Sequence, residues 1–299
     1  MAAVRRLSFI GLGAMGGPMV KRLLAAGYEV TVCDLNPDAV AAAEAHGATA
    51  AANARGAAEA NEIVITCLPK PEIVEAVATG PDGVAGSSAR IFVDLSTTGP
   101  EVTRRISAAL GQRGIACVDA PVSGGVAGAE AGQLAIMCSG NRAACETVEP
   151  IFKVIGNRIF KLGDEPGRGQ VAKLANNLLS AMFLVATTEA LAFGAKAGVD
   201  PKQLVDIINA STGRSFISEV VIPAAVLDES FDIGVPTEMM HKDVKLCLAA
   251  AEAASVPMWL GSATGQFYSF AMSQGHAKAD VTSLARIFGD WAHIRYRPT

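Results

Sequence analysis

The feature that most constrains the fold is a glycine-rich loop near the start of the chain. Residues 6–10 predict a strand, residues 11–16 follow with the spacing GxGxxG, and an amphipathic helical pattern comes next. A second strand pattern, residues 29–33, ends in Asp34. In such a unit the glycines allow a tight turn, backbone approach to a pyrophosphate and close packing of helix on strand. The unit predicts a Rossmann-type dinucleotide site.

Asp34 indicates which dinucleotide the site prefers. An acidic residue about 20 positions after the loop can accept the ribose hydroxyls of NAD and would repel the extra phosphate of NADP. Leu35, Asn36 and Pro37 follow, so no arginine is present to pair with that phosphate. The alternative is a glycine-rich turn that binds no nucleotide. The predicted loop contacts are Gly11, Leu12, Gly13, Ala14, Met15 and Gly16.

Strand and helix patterns then alternate, which is typical of a doubly wound parallel sheet. Further strands are predicted at residues 62–67, 90–94, 114–119, 133–139 and 158–161. Ligands bind beyond the carboxyl ends of the strands in such sheets. Leu68 and Pro69 after one strand, and Thr97 after the next, are therefore expected in the cofactor crevice, although every strand has an end and each residue alone is weak evidence.

A serine followed by two glycines comes after the strand at residues 114–119. Ser123, Gly124 and Gly125 expose consecutive backbone N–H groups, and together with the hydroxyl they could hold a carboxylate. A plain turn would use the same residue types. We therefore keep both interpretations, a substrate carboxylate site and a turn without a ligand.

The alternation stops at a linker rich in turn formers, residues 163–169. After it the patterns are helical, which predicts an α/β chain with an N-terminal Rossmann domain, residues 1–164, and an all-helical C-terminal domain, residues 165–299. The predicted helices are residues 171–195, 201–210, 216–227, 239–254 and 260–273.

The first of these helices carries a lysine among apolar residues. Val171, Leu174 and Leu178 recur at helical spacing and predict a buried stripe. Lys173 and Asn177 are four apart and so share a face. Burial should lower the pKa of a lysine unless a polar partner meets it, and that partner could be a substrate. The alternative is a lysine that extends to solvent or pairs with a carboxylate.

Composition points to small-molecule partners. The formal net charge of -4 and the absence of runs of like charge argue against nucleic acid. The six cysteines form no CxxC pair and the four histidines are scattered, so we expect reduced thiols, a cytoplasmic protein and no metal site. Arg5 and Arg6 before an uncharged run imitate an export signal, but the run contains four glycines and a proline. No membrane partner is expected.

Four separated motifs occur in one order along nearly the whole chain. They are the loop ending at Pro18, the segment from Asp119 to Gly125, the segment from Gly169 to Asn177, and Lys242 with Asp243. In this respect the chain resembles the beta-hydroxyacid dehydrogenase family, of the 3-hydroxyisobutyrate dehydrogenase and tartronate semialdehyde reductase type.

The resemblance implies a role for each motif. Lys173 would be the catalytic lysine and Asn177 its helper, with the substrate carboxylate at Ser123, Gly124 and Gly125. Thr97 and Lys242 would touch the nicotinamide cofactor, and the protein would be a homodimer or homotetramer. For the charged cluster at Lys242, a solvated helix start is the alternative.

The implied function is hydride transfer between NAD and a short beta-hydroxyacid or its semialdehyde. The alternatives are a reductase of a related small aldehyde or keto acid such as tartronate semialdehyde, and a non-catalytic nucleotide-binding module. Imine reductases and non-enzymatic relatives tend to lack the lysine, so Lys173 argues against both.

Overall fold

The computed structural model describes residues 5–297, and the chain divides into two compact units, the first ending at Lys173 and the second beginning at Leu174. Strands and helices alternate through the first unit. The strands are β1 (Arg6–Ile10), β2 (Glu29–Cys33), β3 (Thr49–Ala50), β4 (Ile63–Thr66), β5 (Ile91–Asp94), β6 (Ala116–Asp119), β7 (Val122–Ser123), β8 (Leu134–Gly140) and β9 (Gly156–Lys161). The helices are α1 (Gly16–Ala25), α2 (Pro37–Glu44), α3 (Ala54–Ala60), α4 (Pro71–Thr79), α5 (Pro100–Gly111), α6 (Gly125–Ala131) and α7 (Arg142–Ile155).

The strands form one sheet in the order β3-β2-β1-β4-β5-β6-β8-β7, with β9 paired to β8. Strands β1 to β6 run parallel to one another, which confirms the predicted Rossmann-type sheet. All of β4 is buried, as expected where helices cover both faces. β8 runs antiparallel to β6, so the sheet is mixed at this side, a common feature of large doubly wound sheets.

Side-chain caps fix the starts of three helices in this unit. Asn36, Asn53 and Asn141 precede α2, α3 and α7, and each accepts a backbone N–H two or three residues further on. Such a cap satisfies a donor that the helix itself cannot pair and contributes about 1 kcal/mol. The positions of these helices are therefore encoded locally.

The described residues from 174 onward form helices and short turns, apart from one isolated bridge between Pro236 and Asp280. This confirms the all-helical C-terminal region. The helices are α8 (Arg168–Lys196, which begins in the first unit), α9 (Pro201–Ala210), a π-helical segment (Ile217–Val226), α10 (Thr237–Ala253), α11 (Trp259–Ser273) and α12 (Ala285–Ala292). The sequence patterns did not predict α12.

Helix α8 has 29 residues and an apolar surface around much of its circumference. Leu174 and Leu178 are buried in the core of the second unit, as predicted. The prediction for Val171 was wrong: its side chain is 49% exposed. The buried residues of that core begin at Leu174, and Val171 lies one turn before it.

By length and composition α8 could also cross a membrane, with a mean hydropathy of 1.7 over 18 residues. The core helix of a soluble protein passes the same test. Two observations favour a core helix: Leu174, Leu178 and Leu184 are buried in the second unit, and the first turn donates hydrogen bonds to polar side chains of the sheet.

Candidate active site

The glycine-rich loop joins β1 to α1 and has two kinds of glycine. Gly11 has a φ of +100°, and a Cβ there would collide with the carbonyl oxygen of Cys67. A Cβ at Gly16 would collide with the carbonyl oxygen of Gly11. At Gly13, by contrast, a Cβ would meet nothing within 4 Å. The outer glycines are therefore required by packing, whereas the backbone at Gly13 borders open space, as close approach to a pyrophosphate requires.

The start of α1 has no side-chain cap at Met15, and Gly13 and Ala14 are exposed. Its first N–H groups are therefore not occupied by a capping side chain. Such groups, together with the helix dipole, bind phosphate. The open glycine and the uncapped helix start both fit a dinucleotide.

Asp34 follows β2 and is tied to the same loop. Its Oδ2 accepts a hydrogen bond from the N–H of Leu12 at 2.5 Å, and its Oδ1 accepts one from the N–H of Asn36 at 2.8 Å. Leu35, which lies between Asp34 and Asn36 in the sequence, is fully exposed. The carboxylate is thus fixed beside the loop, at the end of β2, where Rossmann domains bind the ribose hydroxyls.

The loops after β4 and β5 are connected by hydrogen bonds. The N–H of Leu68 donates to Ser96 Oγ at 2.8 Å, and the N–H of Ser96 donates to Asp94 Oδ1 at 3.0 Å. Burial is the main influence on Asp94 and raises the pKa of its carboxyl. Leu68, Pro69 and Thr97 therefore lie on linked loops at the carboxyl ends of adjacent parallel strands.

Ser123 ends β7, and Gly125 begins α6. Gly124 and Gly125 have φ values of +137° and +64°, which L side chains rarely adopt. Ser123 is half-buried, both glycines are exposed, and α6 has no side-chain cap. The turn can therefore present N–H groups and a hydroxyl to a ligand. The same geometry serves a plain turn, so the carboxylate role stays a prediction.

Asp119 ends β6 and holds the start of α8. Its Oδ1 accepts hydrogen bonds from Ser139 Oγ at 2.6 Å and from the N–H of Gly167 at 3.0 Å. Its Oδ2 accepts one from the N–H of Gln170 at 3.2 Å. Ser139 Oγ in turn accepts the N–H of Gly169 at 3.0 Å. The sequence reasoning quoted Asp119 in a motif but gave it no role.

The side chain of Gln170 attaches α8 to the loop after β5. Its Oε1 accepts hydrogen bonds from the N–H groups of Thr98 at 2.9 Å and Gly99 at 3.1 Å. Its Nε2 donates to the carbonyl oxygen of Ser96 at 3.0 Å, and the residue is fully buried. Gln170 thus forms hydrogen bonds with the backbone on both sides of Thr97. The sequence reasoning did not single it out.

Lys173 follows Gln170 by three residues, less than one helical turn, and only 9% of it is exposed. This burial does not fit the alternative of a lysine that extends into solvent. The turn of helix before it is held by two buried groups, Asp119 and Gln170. A buried lysine on an anchored turn can take up or release a proton at a fixed place.

In the second unit, Asp243 brings together the two site residues predicted there. Its Oδ2 accepts a hydrogen bond from Asn177 Nδ2 at 2.7 Å, and its Oδ1 forms an ion pair with Lys242 Nζ at 3.1 Å. Asp243 is buried, so the cluster is not a solvated helix start. Because a carboxylate only accepts, it fixes the orientation of the Asn177 amide.

Comparison with known proteins matches both parts of the chain to dehydrogenase families. Residues 6–163 match the NAD binding domain of 6-phosphogluconate dehydrogenase, and residues 167–288 match the NAD-binding region of NADP-dependent 3-hydroxyisobutyrate dehydrogenase. The chain is 38% identical over 293 residues to NAD-dependent L-serine dehydrogenase of Pseudomonas aeruginosa, covering 95% of this chain and 98% of the relative.

Two further relatives cover as much of the chain. It is 37% identical over 285 residues to 2-(hydroxymethyl)glutarate dehydrogenase of Eubacterium barkeri, covering 95% of this chain and 94% of the relative. The solved structure of 3-hydroxyisobutyrate dehydrogenase of Mycobacterium tuberculosis with L-serine has a TM-score of 0.86 and 32% identity, covering 95% of this chain and 99% of that one. The chain belongs to the beta-hydroxyacid dehydrogenase family.

Proposed function

We propose that this enzyme oxidises a short-chain beta-hydroxyacid reversibly to its semialdehyde, with NAD as cofactor and Lys173 as the proton-transfer group. The observation that carries the proposal is the burial of Lys173 on a helical turn that Asp119 and Gln170 anchor to the sheet. When bound, the nicotinamide cofactor accepts the hydride in oxidation and supplies it in reduction.

Lys173 does the general acid and base work. In oxidation its amine takes the hydroxyl proton as the carbinol carbon loses its hydride, and in reduction its ammonium returns a proton to the forming alkoxide. Asn177 lies one turn further along α8. Its Nδ2 donates to Asp243 and its Oδ1 accepts from Asn176 Nδ2 at 3.3 Å, so the second lone pair of this oxygen can accept a hydrogen bond from the lysine or the substrate hydroxyl.

Ser123, Gly124 and Gly125 bind the substrate carboxylate in this proposal. The support is the pair of left-handed glycines, which leaves N–H groups and the serine hydroxyl accessible at the start of α6. Holding the carboxylate at one place restricts where the hydroxyl carbon can lie, and such orientation lowers the barrier. Both functional groups of a beta-hydroxyacid then have a partner.

The cofactor is held by the loop from Gly11 to Gly16, with Leu68, Pro69, Thr97 and Lys242 as further contacts. The open space at Gly13 and the uncapped start of α1 support this assignment. Asp34 favours NAD over NADP, since its carboxylate lies where the ribose binds and would repel a phosphate there.

The substrate class is a three- to six-carbon acid with a nearby hydroxyl. The relatives are named for serine, 3-hydroxyisobutyrate, threonate and 2-(hydroxymethyl)glutarate, which all share these two groups. Reduction of a related aldehyde such as tartronate semialdehyde is the second candidate, because the chemistry at Lys173 is reversible.

The protein works in the cytoplasm as a homodimer or homotetramer in this proposal. The six cysteines, which all lie in the described part of the chain, are free thiols, as in reducing compartments. Large apolar side chains are exposed on the helices of the second unit, among them Phe193 and Trp259. Exposed apolar surface of this kind supports a subunit interface.

The test is the absorbance of reduced nicotinamide with NAD and a panel of acids: 3-hydroxyisobutyrate, L-serine, glycerate, L-threonate and 2-(hydroxymethyl)glutarate. We expect one acid to dominate in kcat/KM. Lys173→Ala should lose about 10²–10⁴-fold in kcat, the usual contribution of general acid–base catalysis, while cofactor binding persists. Small primary amines should restore part of the rate, because they can occupy the space that the side chain leaves.

Lys173→Met is the matched control, since it keeps the length and the apolar stem but has no amine and leaves little space for an added one. It should be inactive and not rescued. Near-normal turnover in either variant on the preferred acid would show that Lys173 is not the proton-transfer group. Cofactor binding without turnover on any acid would favour the non-catalytic alternative.

A further inference from the structure

Asp119 has no part in the proton transfer just described, yet it is a buried carboxylate bonded to the start of α8. Only 2% of it is exposed, and its two oxygens accept three hydrogen bonds. Two of the donors are N–H groups at the start of α8, those of Gly167 and Gln170. The third donor is the hydroxyl of Ser139, which also accepts the N–H of Gly169.

We propose that Asp119 is a positioning residue for Lys173: with Ser139 it clamps the first turn of α8 to the sheet and so fixes where the lysine amine lies. The proposal rests on the role of Lys173 proposed above. The N–H groups of a helix's first turn are unpaired within the helix and carry its positive dipole end, so a carboxylate there is favourable. Lys173 is three residues beyond Gln170, about 4.5 Å along the axis.

Gly169 shows that the contact is close. A Cβ at this residue would lie 2.7 Å from Asp119 Oδ2 and would collide with the carbonyl oxygen of Met137. Only a glycine allows the backbone of this turn to approach β6 and β8 to that extent. Because the turn is rigid and close to the sheet, a change at the carboxylate displaces the helix backbone. A displacement of about 1 Å at a reacting group can cost about 100-fold in rate.

The clamp depends on the charge of Asp119. Burial raises the pKa of this carboxyl to about 6, although its three hydrogen bonds lower it. The titratable groups around it are Asp94 on β5, Cys117 on β6, Cys138 on β8 and Cys145 on α7. Asp94 faces Asp119 across the strand pair and raises its pKa further.

The sign of the pH dependence follows from the hydrogen bonds. Above pH 6 the carboxylate is ionised and accepts from all three donors. Below pH 6 it gains a proton, which the rotatable hydroxyl of Ser139 can accept, but the N–H groups of Gly167 and Gln170 then bond to a neutral acceptor and their hydrogen bonds are weaker. The clamp is therefore strongest above about pH 6 and weakens as the pH falls. In the reduction direction Lys173 acts as its ammonium, which acid does not remove, so an acid loss of kcat there does not come from Lys173, and its absence in Asp119→Asn would assign it to Asp119.

The experiment measures kcat, KM and cofactor dissociation constants for the wild type, Asp119→Asn and Ser139→Ala. It uses NADH and the semialdehyde of the acid preferred in the panel, in the reduction direction from pH 4.5 to pH 8. Asp119→Asn keeps the size but removes the charge and puts a donor against a donor. We expect kcat to fall about 10–100-fold at neutral pH, with cofactor binding little changed and no loss of kcat near pH 6.

Ser139→Ala removes one hydrogen bond that lowers the pKa of Asp119. It should keep the acid loss of kcat and move it to higher pH, which a merely structural role would not do. Leu110→Ala is the control for lost stability, because this fully buried core residue has no part in the site. It should leave kcat and its pH profile unchanged.

The proposal is overturned if Asp119→Asn keeps the wild-type kcat, if it keeps the acid loss, or if the loss does not move in Ser139→Ala. It is also overturned if Leu110→Ala reproduces the pH profile of Asp119→Asn. Failure of the proposed function is a separate result, namely near-normal turnover of Lys173→Ala. If Lys173→Ala is inactive and Asp119→Asn is unaffected, the positioning role of Asp119 is rejected and the proposed role of Lys173 is retained.

Discussion

Asp34 has two roles, one in holding the glycine-rich loop and one through its charge, and removing the whole side chain would not distinguish them. Its Oδ2 accepts the N–H of Leu12, which fixes the glycine-rich loop, and its charge lies at the end of β2, where Rossmann domains bind the ribose. Removing the side chain would therefore loosen the loop and remove the charge together. Asparagine removes the charge and keeps one acceptor: its amide oxygen can still accept the N–H of Leu12, while its NH2 group faces the N–H of Asn36 in place of Oδ1.

We predict that Asp34→Asn lowers the preference for NAD over NADP in kcat/KM by at least about tenfold, or about 1.4 kcal/mol. The reason is the loss of repulsion of the phosphate on the NADP ribose. Asp34→Ala should change the preference similarly but also weaken the binding of both cofactors, because Leu12 loses its acceptor. An unchanged ratio in Asp34→Asn would contradict the assignment of cofactor choice to this carboxylate.

At the scale of the element, α8 depends on the loop after β5 through Gln170. Its side chain is the acceptor for the N–H groups of Thr98 and Gly99, both in buried surroundings. We predict that Gln170→Ala lowers the free energy of unfolding by about 1–3 kcal/mol, the cost of a buried donor without a partner. It should also raise KM for the cofactor, because Thr97 lies on the released loop. Urea denaturation and initial rates measure the two effects.

Gln112→Ala is the matched control, an exposed glutamine after α5 whose loss should leave both quantities unchanged. If Gln170→Ala unfolds more easily but binds cofactor normally, the loop does not transmit the change to the cofactor site. If stability is also unaffected, the hydrogen bonds of Gln170 are not significant for the fold.

The elements that the sequence predicted well are those encoded by local patterns. The predicted strands at residues 6–10 and 29–33 coincide with β1 and β2, because buried parallel strands are apolar runs bounded by turn residues. The glycine-rich loop could be predicted because its glycine spacing is also a local pattern of the sequence. The exposure of Val171 could not, because it depends on which part of α8 the core of the second unit covers.

The anchors of α8 were missed because they join distant parts of the chain. Asp119 and Gln170 are 51 residues apart, and Gln170 bonds to residues 71 to 74 positions earlier. No periodicity within a helix or strand reports such a pair. Asp243, 66 residues after Asn177, was seen as a charged residue beside Lys242, but its burial and its partner required the structure.

At the scale of the molecule, several large apolar side chains of the second unit are exposed. Phe193 is 77% exposed, Trp259 85% and Leu260 69%. Exposed large apolar side chains cost solvation and favour association when they form a patch. We predict that the protein in solution is a dimer or tetramer, with a mass by light scattering of two or four times 30.7 kDa.

Trp259→Glu and Phe193→Glu test which helix forms the interface. Each puts a charge on an exposed apolar position, of α11 and α8 respectively, and should shift the species towards the monomer and make Tm depend on concentration. Leu35→Glu is the control, because Leu35 is also exposed but lies in the first unit, beside the glycine-rich loop. A monomeric wild type would contradict the prediction. If the oligomer persists in Trp259→Glu and Phe193→Glu but dissociates in Leu35→Glu, the interface lies in the first unit.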